Sequence, residues 1–333
     1  MKLRRSSLAL TLLVAALIRP VRAQDTSDVT LREQASTRET ARFLLAPVGA
    51  RAVGLAGAIT ASDSDVEGVL WNPASTAGVE RPTAFFHLSN DFGTASQVLG
   101  FLGRWQDLRV GLTYYHFDLG SLEARGELNE DLGTLALDDD ALILTGGYAL
   151  SPVVQLGLNA KLVRLSSACS GDCDTYAGRS IGYAFDLGAV AAVRAVRGLS
   201  VGALLRNLGP GIRVSGAETS DPMPTRLRLG ASFDATQAFF PDEERFAVVL
   251  QGDLQQTVTE FDDLDGYLGA EASLRGILYL RGGYSWTSAG RQGAALGIGL
   301  RYDRLVVDIG RAFDDFSSFD SDSPFQLSLA FGF

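Results

Sequence analysis

From about residue 81 to residue 333 the apolar side chains of this chain fall on alternate positions. Leu108, Val110, Leu112 and Tyr114 alternate with Arg109, Gly111, Thr113 and Tyr115. A side-chain period of two describes a strand lying between an apolar and a polar environment. The pattern recurs in fourteen segments, near 81–90, 95–105, 108–118, 141–150, 154–165, 180–193, 199–207, 225–234, 245–257, 266–275, 277–287, 292–302, 305–313 and 325–333. Each is close to the roughly 9–11 residues that cross a bilayer as a tilted strand. After Ala23 no apolar run approaches the ~18 residues of a spanning helix, so helical membrane architecture is excluded. The expected fold is an all-β, closed antiparallel transmembrane barrel of about fourteen strands.

The connections agree. Gln106-Asp107, Ser151-Pro152-Val153, Arg194 to Gly198, Arg275-Gly276 and Asp303-Arg304 are short, whereas 119–140, 166–179, 209–224 and 314–324 are long and polar. Short turns at one end and long loops at the other are the habit of outer-membrane barrels. The stretch 235–244 is an exception, long where a short turn is expected. Lipid is the natural partner of the apolar face, because only a closed barrel satisfies every strand edge there. Tyr114, Tyr148, Phe233, Tyr284, Trp286 and Tyr302 sit on that face and suit aromatic girdles. The last segment alternates through Phe325, Leu327, Leu329, Phe331 and Phe333. Phe331 and the terminal Phe333 resemble the signal read by the barrel assembly machinery.

Residues 1–23 read as a secretory signal peptide: Lys2, Arg4 and Arg5, an apolar stretch from Leu8 to Ile18, then Val21-Arg22-Ala23. Removal of its five basic residues takes the net charge from -10 to -15, which disfavours nucleic acid and anionic lipid as main partners. In an exported chain Cys169 and Cys173 are expected to form a local disulfide, in an outward loop. No metal is expected there, since two thiolates without a nearby histidine leave the shell incomplete. The remaining divisions are a polar segment 24–42, a hatch 43–80 and the barrel 81–333.

Residues 43–80 do not alternate. They hold a glycine-rich run from Gly49 to Ala58, an acidic stretch Asp63 to Asp65, and Trp71-Asn72-Pro73-Ala74. A short helix is expected over 63–69 with Ser62 or Asp63 as its cap, and a turn at Asn72 before the proline. The spacing does not suit a dinucleotide loop. This block resembles the PorV/PorQ family of outer-membrane proteins and, more distantly, the FadL-type channels. Looser matches are Asn207-Leu208-Gly209-Pro210 and 224–230. The resemblance implies a fourteen-stranded barrel with the N-terminal segment folded inside as a hatch. Its motif residues would be Gly49, Arg51, Gly54, Gly57, Trp71, Asn72, Pro73 and Ala74, the glycines letting backbone approach the wall closely.

For function the resemblance implies two classes. PorV-like proteins serve type IX secretion by engaging exported cargo at the cell surface; FadL-type channels pass small hydrophobic molecules. The acidic, fairly short loops lean towards protein docking. The strand register points Lys161, Asp186, Arg206, Arg226, Arg228, Asp253, Glu271, Arg281 and Asp308 into the lumen. A base facing lipid near the midplane would cost roughly 2–4 kcal/mol. Pairing with each other or pinning the hatch is the first expectation for these charges, and substrate contact the second. No catalysis and no cofactor are expected. His87 and His116 read as strand-end or girdle residues without a serine motif beside them, although Asp118 stands near His116. The aspartates at 138–140, 262–265 and 314–322 lack ordered calcium spacing.

Overall fold

A computed structural model describes residues 39–91, 94–125, 128–173, 177–214, 218–258, 264–288, 292–314 and 325–333. Residues 1–23, read above as a signal peptide, and residues 24–38 lie outside the described residues, as do most of 314–324 and part of 262–265. Fourteen antiparallel strands close into one barrel, each hydrogen-bonded to its neighbours in sequence and β1 pairing with β14. They are β1 (Thr83–Asp91), β2 (Thr94–Trp105), β3 (Leu108–Arg125), β4 (Asp131–Ser151), β5 (Val154–Gly171), β6 (Gly178–Ala192) and β7 (Leu199–Leu208). The second half is β8 (Arg226–Asp234), β9 (Phe246–Thr257), β10 (Leu264–Leu274), β11 (Leu278–Trp286), β12 (Gln292–Tyr302), β13 (Leu305–Asp314) and β14 (Phe325–Gly332).

The two faces separate as the period of two requires. Leu99, Phe101, Leu112, Tyr114, Leu142 and Leu144 point outward and are exposed, while Val98, Leu102, Thr113, Tyr115, Ala141 and Ile143 point inward and are buried. Such a continuous apolar exterior is what lipid rewards and water penalises. Phe331 and Phe333 lie on the outer face, their rings 5.2 Å apart edge to face.

Three sequence expectations need correction. The stretches 119–125, 131–140 and 166–171 are not loops: β3, β4 and β5 continue through them as a paired extension. The Asp138 to Asp140 run hid this, because a ladder that has left the lipid needs no apolar face. The disulfide between Cys169 and Cys173 is present, but Cys169 sits on β5 at the tip of this extension rather than in a free loop. Finally, the exception at 235–244 holds a short helix, α2 (Ala235–Phe239), capped by the Asp234 side chain accepting from the Gln237 N–H at 2.8 Å. The barrel thus has a turn end, where β1 begins and β14 finishes, and an extended end with the β3–β5 projection.

Candidate functional site: the hatch and the cavities on either side of it

Residues 39–80 fill the lumen. Besides the helix α1 (Ala50–Gly54) they form 3-10 turns at Arg42–Leu45, Val66–Val69 and Pro73–Gly78. The expected helix over 63–69 is shorter than the sequence suggests, and its cap is Asp65, whose side chain accepts from the Glu67 N–H at 2.9 Å. Asn72 is fully buried and caps the last turn by accepting from the Ala74 N–H at 3.1 Å, while its Nδ2 donates to Thr60 O at 2.7 Å and to Ala189 O of β6 at 3.3 Å. The indole of Trp71 donates to Val48 O at 2.8 Å. These bonds lock the irregular backbone of the hatch to itself and to the wall.

Close approach is provided mainly by glycines of the wall. A Cβ on Gly157 would stand 2.1 Å from the Ala74 nitrogen, and one on Gly202 would stand 2.3 Å from Thr60 O. Of the hatch glycines, Gly54 does face the wall, across from Gly297. Gly49 and Gly57 serve otherwise: both have positive φ, +102° and +86°. A Cβ on Gly49 would strike the carboxylate of Glu67, within the hatch itself.

All nine charged residues read as lumen-facing lie inside the barrel, and most of them hold the hatch. Asp253 on β9 accepts from two successive hatch amides, Ile59 N at 3.0 Å and Thr60 N at 3.1 Å, and from Arg228 Nε at 3.0 Å. Arg228 in turn donates to Gly57 O at 2.5 Å and stacks on Tyr267, 4.1 Å from its ring centroid. Arg281 joins Glu271, at 2.6 Å, to Asp308. The motif Arg51 links Glu271, at 3.1 Å, to Asp65 of the acidic stretch. Lys161 and Asp186 pair at 2.7 Å, and Asn159 between them donates to Asp186 and to Val69 O of the hatch. Arg226 meets Glu39 with two bonds of 2.7 Å. Arg206 differs: it donates to Leu44 O but has no carboxylate partner among the described residues.

Sequence reasoning missed one cluster altogether. His87 is buried in the lumen, not at a girdle, and faces Ser328 across the β1–β14 seam. Its Nδ1 is 2.6 Å from Ser328 Oγ. Ser328 Oγ accepts from Ala50 N at 2.7 Å and donates to Glu67 Oε1 at 3.0 Å, while Glu67 Oε2 accepts from Ala52 N at 3.1 Å. The hatch is therefore fastened to the strand pair that closes the barrel. Glu67 is hydrogen-bonded to the serine and stands 3.9 Å from the His87 Nδ1, so the serine, not the histidine, is the middle member, unlike a catalytic triad. His116 on β3 is partnered by Asp140, at 3.0 Å, not by Asp118. No signal in the sequence places residues 67, 87 and 328 together.

Among the described residues, two larger cavities flank the hatch. One of about 520 Å³ lies at the turn end, bordered by Arg51, Asp65, Glu67, His87, Arg301 and Asp308. The other, of about 180 Å³, lies towards the extended end, between the hatch residues Leu45, Pro47, Val53 and Trp71 and the wall residues Arg206, Arg228, Tyr267, Ala294, Ala295 and Ala312.

Comparisons with known proteins match this architecture. The chain is similar to the Pseudomonas putida toluene transporter TodX, with 12% identity over 85% of this chain and 96% of that one, at a TM-score of 0.59. It is similar to the CymD monoaromatic hydrocarbon channel, with 13% identity over 86% and 97% and a TM-score of 0.59. A Pseudomonas aeruginosa FadL homologue aligns with 12% identity over 86% and 98% and a TM-score of 0.54. No family model and no curated protein matches the chain, so the PorV/PorQ resemblance and its role in type IX secretion find no support. At these identities the likeness is one of fold, and the fold is that of the FadL-like outer-membrane barrels.

Proposed function

We propose that this protein is an outer-membrane channel for small, largely apolar molecules, with its extended end outside the cell and its turn end in the periplasm. The observation that carries this reading is the cavity of about 180 Å³ beyond the hatch, lined mostly by apolar residues such as Leu45, Pro47, Val53, Trp71 and Ala295, with Arg206, Arg228, Gln255 and Gln292 among them, in a barrel whose fold is similar to that of hydrocarbon channels. A mostly apolar concavity with a few fixed polar groups is the usual form of a small-molecule site. The solute enters from the extended end, rests against Trp71 and Tyr267, and passes when the hatch shifts towards the larger cavity. Binding and passage, not bond chemistry, are the activity, and the chain reaches the membrane by way of the leader read in residues 1–23. The extension of β3 to β5 accompanies this role as a rim around the outer mouth.

Whole cells test the proposal, because their outer leaflet resists apolar solutes. Cells producing the protein should take up labelled toluene several-fold faster than cells with an empty vector. Ala295→Trp, which fills the outer cavity, should return uptake to the background. Equal uptake with and without the protein would overturn the proposal.

A further inference from the structure

We infer that the connection between β8 and β9 is a membrane foot, whose Phe239 and Phe240 enter the lipid leaflet at the turn end of the barrel. The partner is the phospholipid itself, at the boundary of headgroups and acyl chains. The inference is independent of what the lumen carries.

The form of the connection is the first observation. A hairpin can close with as few as two residues, and Gln106-Asp107 and Asp303-Arg304 do so at this end of the barrel. Residues 235–245 are longer, and they are fastened in place. The Asp234 side chain caps α2, and the buried Thr236 accepts through its Oγ1 from Val248 N at 2.9 Å. Phe240 N donates to Thr236 O at 2.8 Å. Fixing backbone costs conformational entropy. Here the fixed backbone holds out two successive phenylalanines, at 68% and 59% exposure.

The register shows which side of the wall they occupy. Phe233 stands opposite Leu250 of β9 and shares the outward, lipid-facing side of β8 with Leu227 and Leu229. The Phe239 ring lies 5.9 Å from the Phe233 ring, edge to face, so α2 rests against the outside of the barrel and not under its lumen. Phe246, also exposed, has the parity of Leu250 and begins β9 on the same face. The apolar surface that meets lipid on β8 and β9 thus continues onto Phe239. The chain then turns polar at once, through Asp242, Glu243, Glu244 and Arg245. Aromatic side chains against acyl chains, with charges on the water side, are the form of an interfacial anchor. An apolar patch of this kind marks a contact. A soluble partner there would have to displace lipid from Phe233 and Phe246, so lipid is the occupant that the geometry favours.

Spin labelling of the full-length protein in vesicles of phosphatidylethanolamine and phosphatidylglycerol tests this. Both native cysteines are in the disulfide, so a label attaches only to the introduced thiol of Phe239→Cys or Phe240→Cys. Leu229→Cys serves as the lipid-facing reference, and Leu128→Cys, at a position 90% exposed on the extension, as the water-facing one. Oxygen concentrates in lipid and a nickel chelate in water. The labels at 239 and 240 should favour oxygen over nickel several-fold more than the label at 128, and approach the label at 229. Ratios equal to that at 128 would overturn the inference and leave the two rings in water, open to a soluble partner. Should a label disturb the barrel, Phe239→Trp in a Trp105→Phe, Trp286→Phe background gives a second reading, since the remaining Trp71 is buried in the hatch. Its emission should be quenched more by lipid brominated near the headgroup than by lipid brominated at the chain ends. Emission indifferent to brominated lipid would overturn the inference.

Discussion

Replacing Asp253 by alanine is expected to release the hatch while the barrel stays closed. That one carboxylate holds the amides of Ile59 and Thr60 and balances Arg228, and both partners of the pair are almost wholly buried. Removing one member of a buried pair typically costs about 3–5 kcal/mol, because the other charge is left uncompensated. Here the loss falls on hatch docking, since β8 and β9 remain joined by their backbone ladder. Hydrogen exchange should show amides 59 and 60 losing protection by two or more orders of magnitude, on the order of the stated free energy. Strand amides of β9 should keep theirs, and the protein should still run as a heat-modifiable barrel. Unchanged protection at residues 59 and 60 would show that the wall charges do not hold the hatch.

The second large effect concerns pH. Burial, together with the neighbouring charges of Asp65 and Asp308, pushes the Glu67 carboxyl up to about 8, against the opposing pull of Arg51 and the Ala52 N–H. In a released hatch the same carboxyl faces water and titrates in the ordinary range, near 4.5. Its pKa is therefore higher docked than undocked. The docked state is favoured most below about 4.5, loses ground as pH rises, and reaches its weakest near 8. Glu67→Gln keeps the neutral form at every pH and should flatten this dependence. Single-channel recordings from pH 5 to 9 measure it directly, as openings that become more frequent with pH in the wild type and not in Glu67→Gln. Openings that grow rarer with rising pH, or a variant with the wild-type profile, would contradict the assignment.

Why the barrel could be read from the sequence and the site only in part is a matter of which forces leave a local trace. Lipid on one side and a packed lumen on the other impose a period of two on every strand, so Leu108 to Tyr115 announce β3 without any knowledge of its neighbours. The same strand beyond Asp118 lies in the extension, where neither environment is enforced, and its charged residues read as loop. The hatch was visible as an irregular, glycine-rich block, and Asn72 before Pro73 marked its turn. What it docks against was not visible. Gly157 and Gly202 look like ordinary small residues on the polar face, and become the seats of Ala74 and Thr60 only once the barrel curls round them. The inward register of Arg228 and Asp253 could be counted, but their partnership spans 25 residues and two strands. The His87, Ser328 and Glu67 cluster is further removed still, joined only by closure of the first strand on the last.

A lumen occupied from wall to wall by residues 39–80 should not conduct ions as an open pore does. Planar-bilayer recording of the intact protein near pH 5, where Glu67 is protonated and the hatch is docked, tests this most directly. Little current is expected from the intact protein, and a large, steady conductance is expected after deletion of residues 43–74 in a barrel that still assembles. A large, stable conductance from the intact protein would contradict a hatch that closes the channel.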